Sequence, residues 1–373
     1  MINYPTLDLI SRFSTLVTSA IVIGLSSCTP SSPPAVSSPS AIQSSEEAPA
    51  LQVVTTFLPI TQFTQAVAGT EAQVTQLLPV NIGPHDYQAK PEDVQKLAQA
   101  NVLVKNGLEM EDFLTSLIQN AGNDNLKIID SSQGIKTMAT EDHDHDHDHD
   151  RSHQSGHHHG EFNPHIWLDP KRAIQQVNNI RDGLIAVDPD RQETYTANAT
   201  EYIQKLQELD AEIEQKLKPY QGKTFVAFHD FAPYFAESYG LKAQFLVDVP
   251  EANPSPDDMR RVSEIVKSTQ LKTLLIEPQG GKAPFTALAK DLNIQVSVFD
   301  PLETGTIEAM TPDYYLQTMR ENVNNLLTGF QTNSPQSFYP GKLLITNFPG
   351  TEKISALLNP FPQPWETLIG GGI

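Results

Sequence analysis

Two series of short β-branched runs, each alternating with helix-like stretches, flank one long stretch of helical periodicity. In the first series, runs at 51–57, 74–78, 102–105 and 126–129 alternate with helical stretches such as 91–100 and 110–120. After Gly222 the alternation resumes, with runs at 224–228, 243–247, 273–276 and 295–299 separated by helical stretches such as 256–268. Strands that alternate with helices specify a parallel sheet covered by helices, so the chain is predicted to be α/β, with two similar lobes. Between the lobes Tyr195, Ala199, Tyr202, Leu206, Leu209, Ile213 and Leu217 recur at steps of three and four, behind an Asp188-Pro189 start signal. One long helix is predicted there, roughly 40 Å at about 1.5 Å per residue, stiff enough to limit hinge opening.

The amino-terminal segment reads differently. A largely apolar run over 13–25 follows Arg12 and leads into Leu25-Ser26-Ser27-Cys28, the pattern of an export signal too short to span a membrane as a mature helix. Cys28 is the only cysteine, which excludes an internal disulfide and any site built from several thiolates. The Ser-, Pro- and Ala-rich stretch that follows has too few large apolar residues to form a core and reads as a tether. The expected organisation is a signal at 1–27, a tether at 28–50, a first lobe at 51–187, a linking helix at 188–219, a second lobe at 220–330 and an extension at 331–373. A formal net charge of −20 argues against nucleic acid or an anionic lipid surface as partner, because both demand basic patches. Cations are the natural ligands.

Histidine placement sharpens this. Within 141–160, His143, His145, His147 and His149 alternate with aspartates, followed by His153, His157, His158 and His159. Such a tract binds divalent metals weakly and interchangeably and has nothing apolar to pack. Outside it only His85, His165 and His229 remain, each beside a predicted element terminus: His85 within PHDYQ, His165 within NPHIWLDP, His229 ending KTFVAFH. Asp300 ends the run QVSVFD. Ligand sites in open α/β sheets form beyond the carboxyl ends of the strands. Two histidines from the first lobe facing a histidine and a carboxylate from the second would give a tetrahedral N3O set that suits Zn2+.

At these residues the chain resembles the solute-binding receptors of metal-importing ABC transporters, and among them the zinc-uptake receptors. The matching segments are VTTFLPITQFTQAVAG, LLPVNIGPHDYQAKPEDVQKLAQANVLVKNG, NPHIWLDP, TFVAFHDFAPYFAESYGL and the stretch from IEPQGG to VFDPL, together covering roughly 51–327. The resemblance implies two α/β lobes bridged by a long helix, with metal in the cleft on His85, His165, His229 and Asp300. It also implies a histidine-rich loop at the His/Asp tract, an extracytoplasmic location, and a permease with its ATPase as partners, while the ending Leu25-Ser26-Ser27-Cys28 resembles the bacterial lipobox and implies lipidation at Cys28. A monomer is expected. Manganese-type relatives carry a carboxylate where this chain has His229, and imidazole suits zinc better than manganese. Family members usually end near the helix expected at 312–330, so 331–373 departs from the pattern.

Two other readings use the same residues. A zinc hydrolase would take the three histidines as ligands and Asp300 or Glu277 as general base, but no HExxH pairing or nucleophile motif accompanies them. An adhesin or a metal-storage protein would share the anchor and need no transporter. No Walker A motif occurs, in keeping with the separate ATPase that the resemblance implies.

Overall fold

The computed structural model describes residues 50–85, 87–140, 160–250, 252–280 and 282–331. The signal segment, Cys28, the tether, the eight histidines of the His/Asp tract and the extension past Gln331 lie outside the described residues.

Each lobe is built on a four-stranded parallel sheet. The first contains β1 (Leu51–Thr55), β2 (Ala72–Gln76), β3 (Val102–Lys105) and β4 (Lys127–Asp130), in the order β2-β1-β3-β4. Its helices are α1 (Leu58–Ala68), α2 (Pro91–Gln99) and α3 (Leu114–Ala121). After α4 (Pro170–Val187) and the long α5 (Gln192–Leu217), the second sheet repeats the plan. There β5 (Thr224–His229), β6 (Lys242–Val247), β7 (Thr273–Ile276) and β8 (Gln295–Val298) run in the order β6-β5-β7-β8. The second lobe's helices are α6 (Pro233–Tyr239), α7 (Pro256–Thr269), α8 (Lys282–Leu292) and α9 (Pro312–Gln331). In both sheets the first strand has its successor on one side and the third strand on the other, so β1 and β5 sit where the winding reverses, the position from which open α/β sheets present ligand sites.

Local chemistry explains where these elements begin. α7 starts at a capping box in which the Asp258 N–H donates to the Ser255 hydroxyl while the Ser255 N–H donates to the Asp258 carboxylate, with Pro256 at the first helical position. α6 stops at Gly240, whose φ of 68° favours a residue without a Cβ. α5 buries Tyr195, Ala199, Tyr202, Leu206, Leu209, Ile213 and Leu217, the face its sequence periodicity singled out. A fully buried leucine or isoleucine there contributes about 1.5–3 kcal/mol of transfer free energy.

Two boundaries differ from the sequence reading. The helix expected over 110–120 begins only at Leu114, because the Glu111 side chain accepts hydrogen bonds from the N–H groups of Asn106 and Gly107 and from the Thr56 hydroxyl. That pins the preceding segment as a turn, with Leu108 and Glu109 both at positive φ. The long helix is preceded by a 3-10 turn over Pro189–Arg191, and the Asp188 carboxylate accepts from the Tyr195 hydroxyl instead of capping that turn.

One large core cluster spans both lobes. Residues of β1, α1, β3, α4, α5, β5, α6 and α9 belong to one buried apolar cluster, with a smaller one among β6, β7, α7 and α8. At its centre Trp167 is fully buried, edge-on to Phe57 at 5.1 Å, and its Nε1–H donates to the Pro301 carbonyl at 2.8 Å. No helix among the described residues is long and apolar enough to cross a membrane.

Candidate metal centre

His229 is the last residue of β5, so the sheet itself delivers its side chain to the cleft. His165 immediately precedes the 3-10 turn Ile166–Leu168 that leads into α4, in a segment fastened to both lobes. From the first lobe, the Asn106 side-chain amide donates to the Pro164 carbonyl. From the second, the Tyr234 hydroxyl donates to the Asn163 carbonyl, and the Asn163 amide donates to the backbone and carboxylate of Asp230. His85 stands in the long connection between β2 and α2, which the Gly305 N–H steadies by donating to the Val80 carbonyl.

The three histidines converge on Glu303. Its Oε1 lies 3.3 Å from His85 Nε2, 3.0 Å from His165 Nε2 and 3.3 Å from His229 Nε2, and the last two nitrogens are 3.3 Å apart. One ligand atom from each of these four residues falls within 4.8 Å of the others. Bonds of about 2.0–2.1 Å in a tetrahedral shell place neighbouring donors about 3.3 Å apart, close to the 3.0–3.3 Å between Glu303 Oε1 and each imidazole and between His165 and His229. His165, His229 and Glu303 are buried and His85 is nearly so, which shields the donors from bulk solvent.

Asp300, the carboxylate expected here from sequence, is not part of this group. Its backbone is gripped by Asn322 of α9, which accepts from the Asp300 N–H at 2.7 Å and donates to its carbonyl at 2.8 Å. Its Oδ1 turns back to accept the Leu302 N–H at 2.8 Å. That turn holds Leu302 at φ 63° and carries the chain round so that Glu303, three residues later, enters the cleft. Burial raises the Asp300 carboxyl to about 6, against the pull of that hydrogen bond. The sequence signal for Glu303 was its place just past the same strand. The crevice rule accommodates either acid, and only the turn decides between them.

Electrostatics divides the histidines. Burial lowers His165 to about 3, outweighing the pull of Glu303, so its ring stays neutral and able to donate a lone pair. For His229 burial acts in the same direction, but the Glu277 and Glu303 carboxylates overcome it and raise the ring to about 10. Of two Nε2 atoms that nearly touch, only one holds a proton. Glu303 is held well below its ordinary value because the surrounding histidines, His229 first, outweigh its burial. In the metal-free protein the charged His229 ring stabilises the fold fully below about 6.5, and this stabilisation is lost as pH rises toward 10. A cation bound at Nε2 must displace that proton.

Neither acid suggested as a hydrolytic base is aimed at an open coordination position: Asp300 is tied to Leu302, and Glu277 to the far side of the His229 ring. Two parallel-sheet lobes sharing a core, with imidazoles and a carboxylate converging between them, define a cleft-type ligand-binding protein of two α/β lobes. Residues 53–329 match the family model of the periplasmic zinc-uptake complex component A, and the chain belongs to that family. This is a family of metal-binding transport receptors, not of enzymes.

Among curated relatives, the chain is 34% identical over 283 residues to the zinc-binding lipoprotein AdcA of Streptococcus pneumoniae, covering 74% of this chain and 55% of that one. It therefore spans about half the length of the AdcA proteins it matches. It is 31% identical over 278 residues to the high-affinity zinc uptake system protein ZnuA of Bacillus subtilis, covering 74% and 86%. The crystal structure of the Zn(II)-bound ZnuA-like domain of S. pneumoniae AdcA superposes with a TM-score of 0.64 at 31% identity, covering 76% of this chain and 100% of that one.

Proposed function

We propose that this chain is an extracytoplasmic receptor that captures Zn2+ on His85, His165, His229 and Glu303 and hands it to an ABC permease driven by a separate ATPase. The observation that carries this reading is the convergence of three Nε2 atoms within 3.3 Å of one carboxylate oxygen in a buried cleft. The donor types favour zinc over manganese, which prefers more oxygen ligands. All four donors come from one chain, which supports a monomeric receptor. The names of the relatives, a zinc-binding lipoprotein and a zinc uptake protein, support export and a lipid anchor at Cys28. On this reading the His/Asp tract gathers metal at lower affinity.

Competitive titration of the soluble chain from residue 29 onward, with and without residues 141–159, tests the proposal. The deletion is geometrically mild, because Ala139 and Phe162 form an antiparallel bridge and the Thr140 hydroxyl donates to the Gly160 carbonyl at 2.7 Å. One tight site preferring zinc to manganese is expected to survive it and to be lost in His229→Ala. Its affinity rises with pH below about 10, because His229 must release its proton to bind. Tight binding that disappears with the tract, or that ignores both pH and His229→Ala, would refute the assignment.

A further inference from the structure

Beyond the four converging side chains, one acid is built against the rear of the site. Glu277 follows β7, whose pairing with β5 sets Val226 beside Leu274 and Ala227 beside Leu275. Carried two positions further, that register brings Glu277 alongside His229. There Glu277 Oε1 lies 2.7 Å from His229 Nδ1 and accepts the His229 backbone N–H at 3.1 Å. Both side chains are fully buried. The Gln279 amide then donates to Glu277 Oε2 at 3.3 Å and reaches Glu303 Oε2 at 3.5 Å, so the rear acid and the cleft acid share one donor.

We propose that Glu277 is a positioning residue for zinc capture: it occupies Nδ1 of His229, leaves Nε2 as the nitrogen that meets the metal, and adds a negative charge that selects a divalent cation. This inference rests on the functional reading above. An ionised carboxylate only accepts hydrogen bonds, so Nδ1 must carry a hydrogen and the lone pair for metal falls on Nε2. Because the two strands are paired, Glu277 is held beside the ring, which can turn only by giving up the Nδ1 contact at 2.7 Å. His165 makes an informative contrast, since its Nδ1 faces the neutral amide oxygen of Asn163 at 3.0 Å. Its ring is oriented without added charge. Glu277 and Glu303 together bring two negative charges into a dry site, the number that one divalent ion neutralises.

The test compares zinc affinity of the full chain with that of Glu277→Gln and Glu277→Ala. Histidine-selective 15N NMR of the zinc-loaded proteins reports which nitrogen of His229 is bound. Glutamine keeps the acceptor and removes the charge, so Nε2 coordination should persist while affinity falls about 10-fold, the lower end for partners of metal-bound histidines. Alanine removes both, and affinity should fall toward 100-fold with the Nε2-bound signal of His229 lost or mixed. If the alanine variant does not fold, the glutamine variant decides alone. Wild-type affinity in Glu277→Gln, or an unchanged His229 signal and affinity in a folded Glu277→Ala, overturns the inference while leaving the receptor assignment intact. A wild-type chain with no zinc site in the cleft overturns both.

Discussion

Glu303→Ala is expected to lower zinc affinity by about 100-fold or more, beyond the range typical of groups that only support a ligand, while Asp300→Asn leaves it near that of the wild type. The difference follows from where the two carboxylates point. Glu303 Oε1 stands within 3.3 Å of all three imidazole Nε2 atoms and is the only anionic donor among the four converging groups. On the proposed reading, removing it takes away a ligand and leaves a charged His229 ring facing a histidine cluster with only Glu277 behind it. Asp300 instead receives the Leu302 N–H, a role that the amide oxygen of asparagine can take over. Competitive titration of both variants measures the effect. Equal losses would mean that the loop after β8 rearranges around metal and that Asp300 enters the shell.

Trp167→Ala is expected to destabilise the protein by about 3–5 kcal/mol, the range for large aromatic truncations in a core. With about 2–4 °C per kcal/mol for domains somewhat smaller than this one, melting should fall by roughly 6–20 °C. The indole packs against Phe57 of the first lobe and against the His165 ring at 5.1 Å, and it donates to Pro301 of the second. Its own carbonyl accepts from the Tyr315 hydroxyl of α9 at 2.7 Å. Trp167→Phe separates packing from hydrogen bonding: it fills most of the space but strands the Pro301 carbonyl, at a cost of about 1–3 kcal/mol. Calorimetric melting of the metal-free proteins reads both effects. A shift of only a degree or two in Trp167→Ala would show that the lobes do not depend on this contact.

Much of the architecture was legible because each element satisfies local rules on its own. β3 and β7 fall at the residues their β-branched runs marked, and α5 buries the residues its periodicity picked out. His229 was legible for the same reason, since a residue ending a central parallel strand has one place to go. What was hidden depended on contacts distant in sequence. The start of α3 is set with Glu111 held by the Thr56 hydroxyl, 55 residues earlier in the chain, and the turn that sends Glu303 rather than Asp300 toward the histidines is held by Asn322, which lies 22 residues beyond Asp300. No periodicity encodes either. The order of the strands was likewise invisible, because alternation specifies that strands are parallel without saying which are neighbours.

The most direct test is zinc K-edge X-ray absorption on the one-to-one zinc complex of the chain lacking residues 141–159, so that no tract histidine can contribute. The expected result is a four-coordinate shell of three imidazole nitrogens near 2.0–2.1 Å and one carboxylate oxygen near 2.0–2.2 Å, with one imidazole missing from the shell in His229→Ala. A shell dominated by oxygen, or one unchanged by His229→Ala, would contradict a zinc site in the cleft.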